Sequence, residues 1–171
     1  MGKVLWFTGL SSSGKSTLAE NFKKYLDKSN MKSIILDGDI IREGLCKDLG
    51  FSKEDRKENI RRISEVAKLL SSIDENYIVM VAVISPYIQD RDNARKIIGE
   101  NFVEIYVSAS LEVCEKRDVK GLYRMARRGE IKNFTGVSDP YEVPENPEMI
   151  IDTDLYNIDE CVKEILNKLY R

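Results

Sequence analysis

The chain has 171 residues, enough for one domain that buries roughly 70% of its unfolded surface. Hydrophobic residues make up 42% and charged residues 33%, and 27 Lys plus Arg against 29 Asp plus Glu leave a net charge of -2, which excludes a disordered chain and a general nucleic-acid coat. Histidine is absent, so Ser-His-Asp catalysis, Cys-His catalysis and histidine metal sites are excluded as well.

Val4 to Thr8 is an apolar run that stops at Gly9, the pattern of a buried strand. Ser16 to Lys28 carries Leu18, Ala19, Phe22, Tyr25 and Leu26 at helical spacing. Ser33 to Leu36 reads as a second strand running into Asp37-Gly38-Asp39. Ser52 to Ser72 is a long helix with Ile60, Ile63, Val66, Ala67 and Leu70 on one face, and Ser52 with Asp55 suits a capped start. Ile78 to Ile84 is wholly apolar, as a strand covered on both faces must be. Helix Asp90 to Ile98, strand Phe102 to Val107, helix Leu111 to Arg117, a short strand Met149 to Ile151 and helix Ile158 to Tyr170 follow.

Strands alternating with helices predict an α/β fold of three layers, a parallel sheet with helices on both faces. The whole chain, 1–171, is then a single domain. Asp118 to Glu148 breaks the rhythm with Pro140, Pro144 and Pro147, Gly121, Gly129 and Gly136, and the cations Lys120, Arg124, Arg127, Arg128 and Lys132. A loop of this length is functional or disordered, and a basic one suits a lid. Cys46, Cys114 and Cys161 are odd in number and widely spaced, which fits a reducing compartment and no disulfide framework. The longest apolar run is too short to span a bilayer, and the N-terminus lacks the pattern of a signal peptide, so a cytoplasmic protein with no membrane partner is expected.

Gly9-Leu10-Ser11-Ser12-Ser13-Gly14-Lys15-Ser16 matches G-x-x-x-x-G-K-[ST] between a predicted strand and a predicted helix. Such a loop points backbone N–H groups at one anion, Lys15 reaches the β- and γ-phosphates, and Ser16 ligates Mg²⁺. No N-K-x-D base-reading motif occurs, against a switch GTPase, and strand Ile78 to Ile84 ends in Ser85-Pro86 without the acid of a motor ATPase. A compact small-molecule kinase remains.

Asp37 and Asp39 follow the second strand, beside the phosphate loop, in the crevice where such sheets bind ligands. One carboxylate can support Mg²⁺ and the other can orient an attacking hydroxyl. The competing reading is structural: Asp39 as a helix N-cap and Asp37 as a turn acid. Arg42, Arg56, Arg61 and Arg62 lie in the next segments, and Arg56 and Asn59 share a helix face. They form either an anion clamp or a solvated surface paired with Glu58 and Glu65. Phe51 is either a staple residue or a stacking surface for a base.

The stretches 9–17, 36–42, 48–69, 84–87, 111–136 and 139–148 together resemble the adenylyl-sulfate kinase family. The resemblance implies a P-loop fold of the nucleoside-phosphate-kinase type, with a mobile basic lid over about 118–148. It implies transfer of the γ-phosphate of ATP to the ribose 3′-hydroxyl of a small nucleotide, with adenylyl sulfate the leading acceptor and cytidine diphosphoramidate, used in capsule modification, the runner-up. A nucleotide-binding regulatory module without turnover is the alternative of another class. Carried onto this chain, Gly9 and Ser11 to Thr17 (Ser11, Ser12, Ser13, Gly14, Lys15, Ser16, Thr17) would cradle ATP, and Arg117 would pack near its adenine. Ser16 and Asp37 would hold Mg²⁺. Asp39, Arg42, Phe51, Arg56, Asn59, Ile84, Ser85, Lys120 and Phe134 would bind the acceptor, with Phe51 and Phe134 stacking on its base. The catalytic set would be Lys15, Asp39, Ser85 and Lys120. The family often carries a phosphoserine at the position of Ser85, although in-line transfer needs no covalent intermediate. A homodimer is common in the family. Two positions depart from the usual pattern: Ser12 replaces a glycine, and Ile40 replaces an asparagine beside the acceptor carboxylate, which bears on acceptor identity.

Overall fold

The computed structural model describes residues 1–170. Five parallel strands, β1 (Lys3–Thr8), β2 (Ser33–Asp37), β3 (Ile78–Ala82), β4 (Phe102–Ser108) and β5 (Met149–Asp152), lie in the order β2-β3-β1-β4-β5. Leu5 and Phe7 face helices α1 (Lys15–Lys28) and α7 (Ile158–Leu169), while Val4 and Trp6 face α3 (Lys53–Ser71) and α4 (Ile88–Ile98). The period of two along β1 thus feeds two cores. Trp6, Phe7, Phe22 and Ile63 are fully buried, each stabilising the fold by about 1.5–3 kcal/mol. The predicted three layers are present, and the strand order reverses direction at β1, which brings the phosphate loop to the switch point.

Three local features differ from the expectation. Strand β3 stops at Ala82 rather than Ile84, because Ser85 turns the chain with a positive φ of 41° ahead of Pro86. Helix α4 begins at Ile88 rather than Asp90, because the Glu142 carboxylate, far away in sequence, accepts from the Ile88 N–H at 2.7 Å. A short helix α2 (Gly38–Glu43) follows β2 directly, and its cap is Asp37, which accepts from the Asp39 N–H at 2.9 Å. The structural roles proposed for the two acids are therefore exchanged: Asp37 caps and Asp39 sits in the first turn. Ser52 caps α3 as expected, accepting from the Asp55 N–H.

The segment 118–148 is not a bare loop. After α5 (Leu111–Arg117) it forms helix α6 (Leu122–Arg127), whose Tyr123 and Ala126 pack with Phe134, Cys114 and Ala109 in a third small core. Tyr123 and Phe134 meet edge to face at 5.0 Å. Asp118 accepts from the N–H groups of Tyr123 and Arg124 and so starts the helix. Among the described residues no helix is long and apolar enough to cross a membrane.

Candidate active site

The loop between β1 and α1 is shaped by what its residues cannot be. A Cβ on Gly9 would lie 2.5 Å from the Val107 carbonyl, and Gly14 has φ 102°. Ser12 has φ 61°, a region that glycine enters without strain, so the serine at this position carries a small conformational cost. Ser13 is buried behind the loop, and its carbonyl accepts from Thr153 Oγ1 at 2.7 Å. Tyr123 OH donates to the Ser11 carbonyl at 2.9 Å. Arg117, expected near a nucleotide base, grips the same loop: it donates to the carbonyls of Ser12 and Ser13 at 3.5 and 3.4 Å and to Thr153 Oγ1 at 3.2 Å.

Lys15 is 8% exposed and folds back to donate to the Gly9 and Leu10 carbonyls at 3.0 and 2.6 Å. Burial lowers its pKa from 10.5 to about 8, against the attraction of Cys114, Asp37 and Asp39. Ser16 Oγ donates to Asp37 Oδ2 at 2.6 Å. These two hard oxygens fit Mg²⁺, which takes one or two protein ligands and completes its shell with water and phosphate oxygens.

The loop forms one end of a cleft of about 840 Å³. The wall opposite the loop is built from α2, α3 and the segment 118–148. Arg42 donates to the Gly50 carbonyl at 2.9 Å and Arg56 to the Phe51 carbonyl at 3.1 Å. Their guanidinium groups stand 4.4 and 5.6 Å from the Phe51 ring centroid. Arg56 Nη2 also donates to the Asn133 carbonyl at 2.6 Å, joining α3 to the lid. Asn59 is buried beside Arg56, and its Oδ1 has no partner among the described residues. Phe51 is 56% exposed and Phe134 only 7%, and both line the cleft. Asp39, in the first turn of α2, is ion-paired with Lys120 of the lid.

Every predicted site residue except Gly9 and Ser13 lines this one cleft; those two support the loop from behind. The surroundings of three further sets of residues bear on their roles. Ser85 is 2% exposed, its Oγ accepts from Trp6 Nε1 at 3.1 Å, and none of its partners is a base that could activate a nucleophile. Its environment is that of a turn-forming residue. The lid arginines Arg124, Arg127 and Arg128 pair with Asp118, Glu115 and Glu130 and do not line the cleft; Lys120 and Lys132 are the lid cations that do. Arg61 and Arg62 fork around Glu58, as a solvated helix face would. The sequence reading missed Thr153, Tyr156, Asn157 and Ile158, which close the end of the cleft beside Arg117. The available signal was the sheet rule itself: residues just past β5 face the same crevice.

A five-stranded parallel sheet with a lysine-bearing phosphate loop at its switch point, paired acids at the next strand end and a lid carrying cations defines a P-loop kinase. The comparisons narrow the class. The family described as Adenylylsulphate kinase matches residues 1–152. The adenylyl-sulfate kinase of Prochlorococcus marinus is 58% identical over 97% of this chain and 82% of its own length. That of Acaryochloris marina is 55% identical over 99% of this chain and 82% of its own length. The Mycobacterium tuberculosis APS kinase CysC, solved in complex with AMPPNP and APS, superposes with a TM-score of 0.95 at 44% identity, covering 99% of this chain and 98% of that one. This chain belongs to the adenylyl-sulfate kinase family.

Proposed function

We propose that this protein transfers the γ-phosphoryl group of Mg-ATP to the ribose 3′-hydroxyl of adenylyl sulfate, giving 3′-phosphoadenylyl sulfate and ADP. The observation that carries this reading is the meeting of two half-sites in one cleft. The phosphate loop with Lys15, Ser16 and Asp37 forms one half, and Asp39 with Arg42, Phe51, Arg56, Asn59 and Phe134 forms the other. The 44% identical Mycobacterium tuberculosis kinase, whose solved complex holds AMPPNP and APS, supports the same pairing of ligands.

Lys15 and the N-terminus of α1 hold the β- and γ-phosphates. Ser16 and Asp37 would hold Mg²⁺, which would neutralise phosphate charge when bound. Asp39 orients the acceptor hydroxyl and accepts its proton as the new O–P bond forms and the bond to the ADP oxygen breaks. Lys120 exchanges Asp39 for the transferring phosphoryl oxygens, where positive charge stabilises the transition state. Arg42, Arg56 and Asn59 take the charged and polar edges of the acceptor, and Phe51 and Phe134 flank its base. Tyr156 and Ile158 flank the ATP base at the opposite end.

Cytidine diphosphoramidate has no support from this site. Ile40, the departure that raised it, is 68% exposed and does not line the cleft. The test is a coupled ADP-release assay with Mg-ATP and either acceptor. Turnover of adenylyl sulfate is the expected result, and turnover of the cytidine compound alone overturns the reading.

A further inference from the structure

Arg91 lies outside the cleft, on α4, and none of the chemistry above uses it. It is 2% exposed, and a charge so deep requires a purpose for each of its N–H groups. Nε donates to Glu104 Oε1 on β4 at 2.8 Å, Nη1 to the Ser85 carbonyl at 2.7 Å and Nη2 to the Glu142 carbonyl at 2.7 Å. One planar fork therefore fastens three segments: the central sheet, the turn that forms the acceptor-side floor, and the C-terminal part of the 118–148 segment.

The same two loops are joined around Arg91 by further contacts. The Glu142 N–H donates to the Pro86 carbonyl at 2.8 Å, and Tyr87 OH donates to Asp139 Oδ2 at 3.0 Å. Asp139 in turn lies 4.0 Å from Arg56, the buried arginine of the acceptor wall. Tyr141, whose ring centre is 5.7 Å from the Arg91 guanidinium, shares a hydrogen bond of 2.9 Å with Thr8 at the end of β1. Thr8 Oγ1 also donates to the Ile84 carbonyl at 2.7 Å. Ile84, Ser85 and Pro86 line the cleft, and Ser85 keeps its positive φ only while its surroundings hold it. The ATP half is fastened separately, by Arg117, Thr153 and Tyr123.

We infer that Arg91 is a positioning residue for the acceptor, fixing the 84–86 turn to the lid-return segment 139–142 so that the acceptor wall is preformed before ligands bind. The inference rests on the acceptor assignment proposed above. A lysine at this position keeps a charge for Glu104 but is a point donor that cannot serve three directions from one plane.

The experiment is Arg91→Lys, followed by steady-state kinetics and by amide hydrogen exchange on the ligand-free protein. The KM for adenylyl sulfate should rise by about tenfold while that for ATP stays within about twofold. Amides of 84–88 and 139–142 should exchange faster while those of α1 do not change. Equal loss of both substrates, an unchanged acceptor KM, or a rise in exchange spread over the whole chain overturns the inference. If Arg91→Lys does not fold, Arg91→Met with Glu104→Leu removes both buried charges together, and the same readings decide. Wild-type protein inactive on adenylyl sulfate would sink the acceptor assignment, and the exchange pattern alone would then decide whether Arg91 is the fastening.

Discussion

Ser16 Oγ donates a hydrogen bond to Asp37 Oδ2 at 2.6 Å, so the hydroxyl that closes the phosphate-loop motif touches the carboxylate that ends β2, two strands away from β1 in the sheet. The other oxygen of the same carboxylate caps α2. One side chain thus meets both the phosphate loop and the helix that presents Asp39, and under the proposed function its metal and capping roles should separate by mutation. Asp37→Asn keeps an acceptor for the cap but loses the anionic oxygen. The Mg²⁺ concentration for half-maximal rate should rise by about tenfold, with little change in Tm. Asp37→Ala should lose the cap as well, at about 1 kcal/mol. A lowered Tm in Asp37→Asn with unaltered Mg²⁺ dependence would leave Asp37 with the helix alone.

Under the proposed function, Lys15 should make nucleotide affinity depend on pH. Its pKa in the folded protein is depressed from 10.5 to about 8 by burial, so the unfolded chain binds more protons between those values. The stability this group contributes is therefore full above 10.5 and is lost as pH falls through about 8. Binding runs the other way. Phosphates require the charged ammonium, so ATP affinity should fall as pH rises past about 8. Calorimetric titrations with ATP on either side of that pH check this, and Lys15→Ala should abolish both the pH break and turnover. A break that persists in Lys15→Ala belongs to another group.

How much of this could be read in advance depends on the distance over which each interaction acts. The phosphate loop was legible because its eight residues carry their own geometry, and Arg56 with Asn59 because three-residue spacing sets one helix face. The strands were legible as apolar runs. The ends of β3 and α4 were not, since Ser85 is held by Trp6 and Arg91, and Ile88 by Glu142. Thr153 was missed for the same reason: its hydroxyl meets the Ser13 carbonyl 140 positions away, and no local pattern marks such a partner. Helix α6 was hidden by the glycines on either side of it and by its charges; its buried apolar residues pack inward against Cys114 and Phe134 and not along a long stripe.

The lid has an anchored part and an exposed part, and protease should find the boundary. Tyr123, Ala126 and Phe134 are buried, whereas Arg127 at the end of α6 and Arg128 and Lys132 on the turn that follows are exposed. Trypsin should cut first at these three residues, and Mg-ATP with an acceptor analogue should slow that cut by about tenfold if closure orders the turn. Equal cleavage rates with and without ligands would mean that the turn takes no part in closure.

Ile40 separates sequence position from spatial position. It follows Asp39 directly, so its replacement of a polar residue suggested a changed acceptor pocket. Within α2, however, successive side chains diverge by about 100° around the axis, and neighbours in sequence need not share a face. Asp39 lines the cleft; Ile40 is 68% exposed and does not. Ile40→Asn should therefore alter kcat/KM for adenylyl sulfate by less than about twofold and create no turnover of cytidine diphosphoramidate. Asp39→Asn, one residue earlier, should lower kcat by about a hundredfold or more with ATP affinity nearly unchanged, because it removes the group that orients the acceptor hydroxyl. Measuring both variants in one assay isolates the helix face that does the chemistry. A large effect of Ile40→Asn on acceptor choice would require α2 to turn this side chain toward the cleft on ligand binding.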